Sequence, residues 1–454
     1  MTTAQTSAQT ALAQHRITRL ATHLPVHRAF HWLHLHQSQL RAWQLEFLAI
    51  PAPPFAESAR AAWFLAHFAA LGLSNVHLDD AGNALGELRA PFIAPLSHAM
   101  SGTAAERSGS TPESSTPDPS PPFLLVSAHL DTVFPPGTPT VPTEEGPRIL
   151  GPGSCDNGAG LTALLALIAA LRYAKIAPPI PILFAANVGE EGEGDLRGMR
   201  QLFCNGPYRN RIAAAIAIDG SGTPAAVTRA LVSRRFSVTI SGPGGHSWTD
   251  SATPNPITLL SRGITALAGA IPTDSEQPAT NGSRTTFSPG LISGGTSINS
   301  IPQSATVLLD LRSTDSAQLD RHTQLIHEAF AAVIPVAPGP PNQNPPIKLL
   351  IEPIGERPAA LLPADSPLLH TLRAVDRHLG IRTELRLGST DANLPLSLGI
   401  PAAAFAAGGA GGGIHTLAEW YDPTGREIAL RRLLLILLDI AQTLDTAHCP
   451  ELLG

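Results

Sequence analysis

FLLVSAHLDTV, residues 123–133, decides how the rest of the chain is read. An apolar run of strand length ends in His129 and Asp131, the pattern of a strand buried on both faces whose carboxyl end opens onto polar chemistry. The pattern recurs in IPILFAANVGEEG (180–192), IAAAIAIDGSG (212–222) and IPAAAFAAGGAGGGIHT (400–416). Helical stretches such as LTALLALIAALRYA (161–174) lie between some of these runs. The alternation predicts an α/β fold, a mixed and mostly parallel sheet flanked by helices, with ligands at the carboxyl ends of its strands.

Outward from this centre the texture changes. RRFSVTISGPGG (234–245) and SATVLLDLRSTD (304–315) alternate apolar and polar residues, as half-exposed antiparallel strands do. ITLLSRGITALAGAI (257–271) and SAQLDRHTQLIHEAFAAVI (316–334) read as amphipathic helices. The expected organisation is a catalytic domain from 1–228 and 351–454, interrupted by a smaller α+β lid at 229–350. Two helices, near 27–50 and 57–73, and a strand pair open the chain. Residues 96–122, rich in Ser, Pro, Gly and Thr, predict a disordered surface insertion.

Composition narrows the function. Hydrophobic residues are 43% and charged residues 15% of the chain, and 30 Lys and Arg face 36 Asp and Glu, a net charge of −6. Without a clustered basic run, neither a nucleic-acid partner nor an anionic membrane surface is expected. The longest apolar stretches are too short or too interrupted to span a bilayer, and no signal peptide is expected. Cys155, Cys204 and Cys449 form no disulfide framework and predict a reducing compartment, the cytoplasm.

The four strand ends deliver His129 and Asp131, then Glu190 and Glu191, then Asp219, then His415, and Asp156 sits in the Gly-rich turn GPGSCDNG. Imidazole and carboxylate are the ligands of catalytic zinc. This many ligands exceeds what one tetrahedral ion needs, whereas two ions about 3.5–4 Å apart sharing a carboxylate would use them. In a strand, residues two apart point the same way, so Asp131 can reach the His129 ring from behind and fix its tautomer. Adjacent Glu190 and Glu191 point apart, so one can bind metal while the other serves as general base.

Taken as an ordered set, HLDTV, GPGSCDNGAG, GEEGEGDLRG, AIDGSG, GPGGHSW and GIHT resemble the dinuclear zinc metallopeptidase family. That family includes peptidase T, glutamate carboxypeptidase, aminoacylase and succinyl-diaminopimelate desuccinylase. The resemblance runs from about 40 to 440 and implies a zinc-exopeptidase type of fold. It implies two zinc ions, with cobalt or manganese as substitutes. His129 and Asp219 would hold one ion, Glu191 and His415 the other, with Asp156 as the bridge. Glu190 would be the general base and Asp131 the orienter of His129. His246 of the GGHS motif would enter the active site of a second subunit in a homodimer formed through the lid. Asn299 would contact substrate, and Arg357 would grip a substrate carboxylate. The run VGEEGEGDLRGMR (188–200), together with Asp rather than Glu at 219, is similar to peptidase T-like members. It implies a peptidase acting on short peptides.

Other classes find less support. No G-x-S-x-G elbow marks a serine hydrolase, HEAFA (327–331) lacks the second His of a single-zinc protease, and the Gly runs lack a phosphate-loop Lys. Two alternatives remain. One is a deacylase of N-acyl amino acids with the same metals, and the other is a non-catalytic binding protein on this fold. Cys155, beside Asp156, reads as a buried small residue. The histidines His23, His27, His31, His34 and His36 read as surface or packing residues.

Overall fold

A computed structural model describes residues 3–89, 121–271, 284–335 and 347–448. The expected insertion at 96–122 falls outside them apart from Pro121 and Pro122, as does Cys449.

The four apolar runs form the centre of a nine-stranded sheet. Across it lie Ser74–Leu78, Ala84–Leu88, Ile182–Asn187, Phe123–His129, Ile212–Ile218, Ala402–Phe405, Ala225–Ala230 and Ala360–Leu361, and Glu384–Gly388 also pairs with Ala225–Ala230. The central strands pair in parallel, with Leu124 opposite Ile182 and Ala402 opposite Ala215. One edge is antiparallel, Ala84–Leu88 lying between Ser74–Leu78 and Ile182–Asn187. Every residue of Phe123–His129 and Ile182–Asn187 is buried, which is why both runs are continuously apolar rather than alternating.

Helix Gly158–Tyr173 is buried from Gly158 to Leu171, which accounts for its being apolar all round. It packs against the sheet and under the helices Leu24–Leu35 and Gln37–Leu48. Its start is fixed by Asn157, whose Oδ1 accepts the Gly160 N–H at 2.9 Å and whose Nδ2 donates to the Ile218 carbonyl at 2.8 Å. A Cβ on Gly160 would stand 2.4 Å from that carbonyl oxygen, so only glycine lets the helix begin this close to the strand ending at Ile218. Helices Thr3–Ala21, Pro367–Leu379 and Arg426–His448 pack together. They are joined by the ion pairs Arg432–Asp376 at 2.6 Å and Arg16–Asp439 at 2.8 Å.

A second hydrophobic core, including Phe236, Val238, Leu260, Val307 and Phe330, lies apart from the first. Its four strands run Thr285–Gly294, Ser304–Ser313, Val232–Ser241 and Lys348–Arg357, all antiparallel, with helices Pro256–Ala270 and Ser316–Ala332 packed against them. Strand Ser304–Ser313 alternates buried and part-exposed positions, as its sequence predicts. The last strand continues to Arg357, so the smaller sheet ends beyond the boundary expected at 350. A register irregularity between Pro353 and Gly355 interrupts that strand's alternation.

Among the described residues, no helix is long and apolar enough to cross a membrane. Of the N-terminal histidines, His34 pairs with Glu427 at 2.8 Å and His36 stacks on Trp32, while none belongs to a cluster of metal-ligand type.

Candidate metal centre

Three of the four buried strands deliver polar side chains as the backbone leaves the sheet. His415, expected at the end of the fourth, instead lies beyond Phe405, the last residue of that strand, and after the short strand Ala410–Gly412 of a separate small sheet. His129, the last residue of its strand, is 1% exposed. Its Nδ1 lies 3.1 Å from the Asp131 carbonyl oxygen and 3.6 Å from the Asp131 carboxylate. A carbonyl oxygen only accepts, so Nδ1 carries a proton and Nε2 is left to face the cleft. There Nε2 meets Asp156 Oδ1 at 3.1 Å and Asp219 Oδ1 at 3.8 Å. The other Asp156 oxygen lies 3.3 Å from His415 Nε2, which is 3.0 Å from Glu191 Oε1. Asp156 therefore turns one oxygen to each imidazole. In the sets His129–Asp156–Asp219 and Asp156–Glu191–His415, the ligand atoms lie within 4.8 Å of one another.

Two further carboxylates hold this arrangement. Asp131 is fully buried and its carboxylate accepts the Glu190 and Glu191 N–H groups at 3.0 and 2.7 Å, so it fixes the next strand's turn. The His129 ring, expected to be held by that carboxylate, is held by the Asp131 main-chain carbonyl. Glu419, 1% exposed, accepts the N–H groups of Gly153, Cys155 and Asp156 at 2.7–2.8 Å and thereby shapes the turn that presents Asp156.

The electrostatics of the bare protein are those of an acid-rich cleft. Burial pushes the Glu190 carboxyl up to about 8, partly offset by the Arg357 guanidinium, and burial also raises Glu191. Burial would lower His129, yet the carboxylates of Asp131, Asp156 and Asp219 around its ring raise it well above the ordinary imidazole value. Hydrogen bonds to Asp156 and Glu191 raise His415 to about 10. Imidazole nitrogens and carboxylate oxygens packed this closely are groups that a divalent cation could satisfy together. The donor set, imidazole nitrogens and carboxylate oxygens with no thiolate, fits two zinc-like ions. Burial pushes the Cys155 thiol up to about 12, so it stays protonated and packs as a small side chain.

Above the acids is a cavity of about 230 Å³. Glu190, Glu191, Asp219 and His415 line one side, and Arg235, Arg312 and Arg357 line it from the smaller sheet. Arg357, expected to grip a substrate carboxylate, instead has its guanidinium on Glu190, with Nη1 donating to Oε1 at 2.7 Å and Nη2 to the carbonyl oxygen. His246 and Asn299 come together elsewhere on the lid. His246 pairs with Ser300, the Ser247 N–H donates to the Asn299 carbonyl at 3.0 Å, and neither side chain lines the cavity.

Sequence reasoning missed Arg235, Arg312, Ser389, Asp391 and Glu419. Asp310 and Arg312 stand two apart on one strand, a spacing that puts both on one face and was the available signal. Asp391, 3% exposed, accepts from Asn187 Nδ2 at 2.8 Å, and burial pushes it up to about 7. No local motif announces it.

A family profile described as Peptidase family M20/M25/M40 matches residues 125–442. No curated protein matches the sequence. Aminopeptidase PepT from Bacillus cereus is similar at 20% identity and a TM-score of 0.60, covering 89% of this chain and 99% of its own. Human carnosine dipeptidase 1 aligns at 14% identity and a TM-score of 0.63, over 92% of this chain and 100% of its own. An amidase of the hydantoinase/carbamoylase family from Burkholderia vietnamiensis gives 17% and 0.65, over 89% and 97%. With the profile spanning most of its length, the chain belongs to peptidase family M20/M25/M40, a family of metallopeptidases and amidohydrolases.

Proposed function

We propose that this protein hydrolyses an amide bond in a short peptide, using two divalent ions, zinc by preference, and Glu190 as general base. The observation that carries the reading is Asp156, whose two oxygens face separate imidazoles, each with its own second carboxylate. His129 and Asp219 would hold one ion, Glu191 and His415 the other, and Asp156 both. When bound, such ions polarise a carbonyl and acidify water. Glu190 takes a proton from the attacking water and passes it to the departing amine nitrogen. Asp131 keeps His129 in one tautomer throughout. Arg312 and Arg235 face the same cavity and suit a carboxylate on the substrate.

A second reading is a deacylase of N-acyl amino acids. The same two guanidiniums suit it as well, since such substrates, like dipeptides, carry a carboxylate next to the scissile amide. In either case a homodimer through the lid, with His246 and Asn299 serving the partner's site, accounts for their distance from the cavity of their own chain. The free cysteines Cys155 and Cys204 favour the cytoplasm.

Hydrolysis of free di- and tripeptides beside N-acetyl amino acids separates the two substrates. The peptidase reading predicts chelator-sensitive cleavage of the peptides, and it fails if only the acetylated amino acids are cleaved.

A further inference from the structure

Arg357 is the last residue of a strand in the smaller sheet, opposite Ser233, yet its guanidinium reaches Glu190 and Ser389, in the loops just past strand ends of the other sheet. It is 3% exposed, a depth at which a charged side chain is kept only when paired. Nη1 donates to Glu190 Oε1 at 2.7 Å and to Ser389 Oγ at 3.1 Å, and Nη2 donates to the Glu190 carbonyl. Both arms of the fork thus hold one residue, by its side chain and its main chain at once. Such a two-point grip fixes direction as well as charge.

The grip also separates the two adjacent glutamates. Glu191 accepts from His415, whereas one Glu190 oxygen is already taken by a cation of the protein. An oxygen of Glu190 nonetheless stays within 4.8 Å of ligand atoms of His129 and Glu191, close enough that the three could share an ion were Glu190 not held by Arg357. The neighbouring contacts make the same junction. Arg235 Nη1 donates to the Gly192 carbonyl, and Arg200 Nη2 donates to the Glu356 carbonyl at 2.6 Å. A Cβ on Gly355 would stand 2.9 Å from Asp195 Oδ1. The end of the smaller sheet is therefore fastened along the whole turn that carries Glu190 and Glu191.

We propose that Arg357 is a positioning residue for the general base: its fork fixes the direction of the Glu190 carboxylate, and it makes that direction depend on the seating of the smaller sheet. This rests on the reading of Glu190 as base given above. A substrate carboxylate then has to be read by other cations, and Arg312 is available at the cavity wall, with only its Nε engaged by Asp310 among the described residues.

The test uses the full-length, zinc-loaded protein and its Arg357→Ala and Arg357→Lys variants, with a substrate that the unaltered protein cleaves. For Arg357→Ala the expected result is unchanged metal content, kcat lower by about 10²-fold and KM within a few-fold of the original. Added guanidinium should restore part of kcat, and Arg357→Lys should be intermediate because an ammonium supplies charge without the fork. A KM that rises while kcat holds would overturn the proposal and make Arg357 a substrate ligand. Loss of metal together with kcat would also overturn it, in favour of a structural role. A readout independent of turnover is the crystal structure of metal-loaded Arg357→Ala protein, or of Arg357→Lys if the alanine variant does not fold. There the Glu190 carboxylate should leave its present direction, and an unmoved carboxylate contradicts the proposal. Should the unaltered protein cleave no amide, the functional reading fails by itself, while the Glu190 displacement still decides what Arg357 does.

Discussion

Asp156 and Glu190 carry different burdens, and substitution should tell them apart. Asp156 faces both imidazoles, so Asp156→Ala should lose metal as well as activity. Glu190 is held by Arg357, so Glu190→Ala should keep its metal, measured by plasma emission, and lose about 10²–10⁴-fold in kcat. Equal metal loss in both variants would refute the division of labour. At this scale the sequence was most legible where function forces residues into short strings. His129-Leu-Asp131 and Glu190-Glu191 each sit within a few residues of the end of a buried strand, whereas His415 lies well past Phe405, where its expected strand ends. It was least legible where partners come from distant segments. Asp131 holds Glu190 and Glu191 by their N–H groups across 59 and 60 positions, and Glu419 holds the Asp156 turn across 263. No spacing rule reaches that far.

Among the elements, the helix that begins at Gly158 shows how packing sets the site. Its first turn lies against the strand that delivers Asp219, through Asn157 and the bare Cα of Gly160. A methyl on Gly160 would stand 2.4 Å from the Ile218 carbonyl and 2.1 Å from Asn157 Oδ1. Gly160→Ala should therefore lower stability by about 1–3 kcal/mol, the usual cost of overpacking, seen as an earlier denaturant midpoint at unchanged slope. An unshifted midpoint would mean the helix can retreat freely. Strands buried on both faces announce themselves as continuous apolar runs, so the centre of the large sheet could be read from sequence. The end of the smaller sheet could not. In IEPIGERP (351–358) a proline and a glycine flank a register irregularity, and the alternation that marks a half-buried strand is lost there.

For the whole molecule, the smaller sheet ends in an edge strand, Thr285–Gly294, whose Leu291 and Ile292 are more than half exposed. An apolar sheet edge of this kind invites pairing with a second copy. A homodimer formed there would let the proposed role of His246 on its neighbour be exercised. Mixing and re-equilibrating inactive His246→Ala and Glu190→Ala proteins should return about a quarter of full activity, the share of intact sites expected in a two-fold dimer assembled at random. No recovery, with dimers confirmed by sedimentation, would place His246 outside the partner's site.

On the proposed function, two divalent ions held by His129, Asp156, Asp219, Glu191 and His415 drive amide hydrolysis. The most direct test measures metal per chain alongside cleavage of free peptides and N-acyl amino acids, before and after chelation. The expected result is about two ions per chain, loss of cleavage on chelation and its return with zinc. A protein that binds no metal and cleaves neither class after zinc, cobalt or manganese is supplied would contradict it.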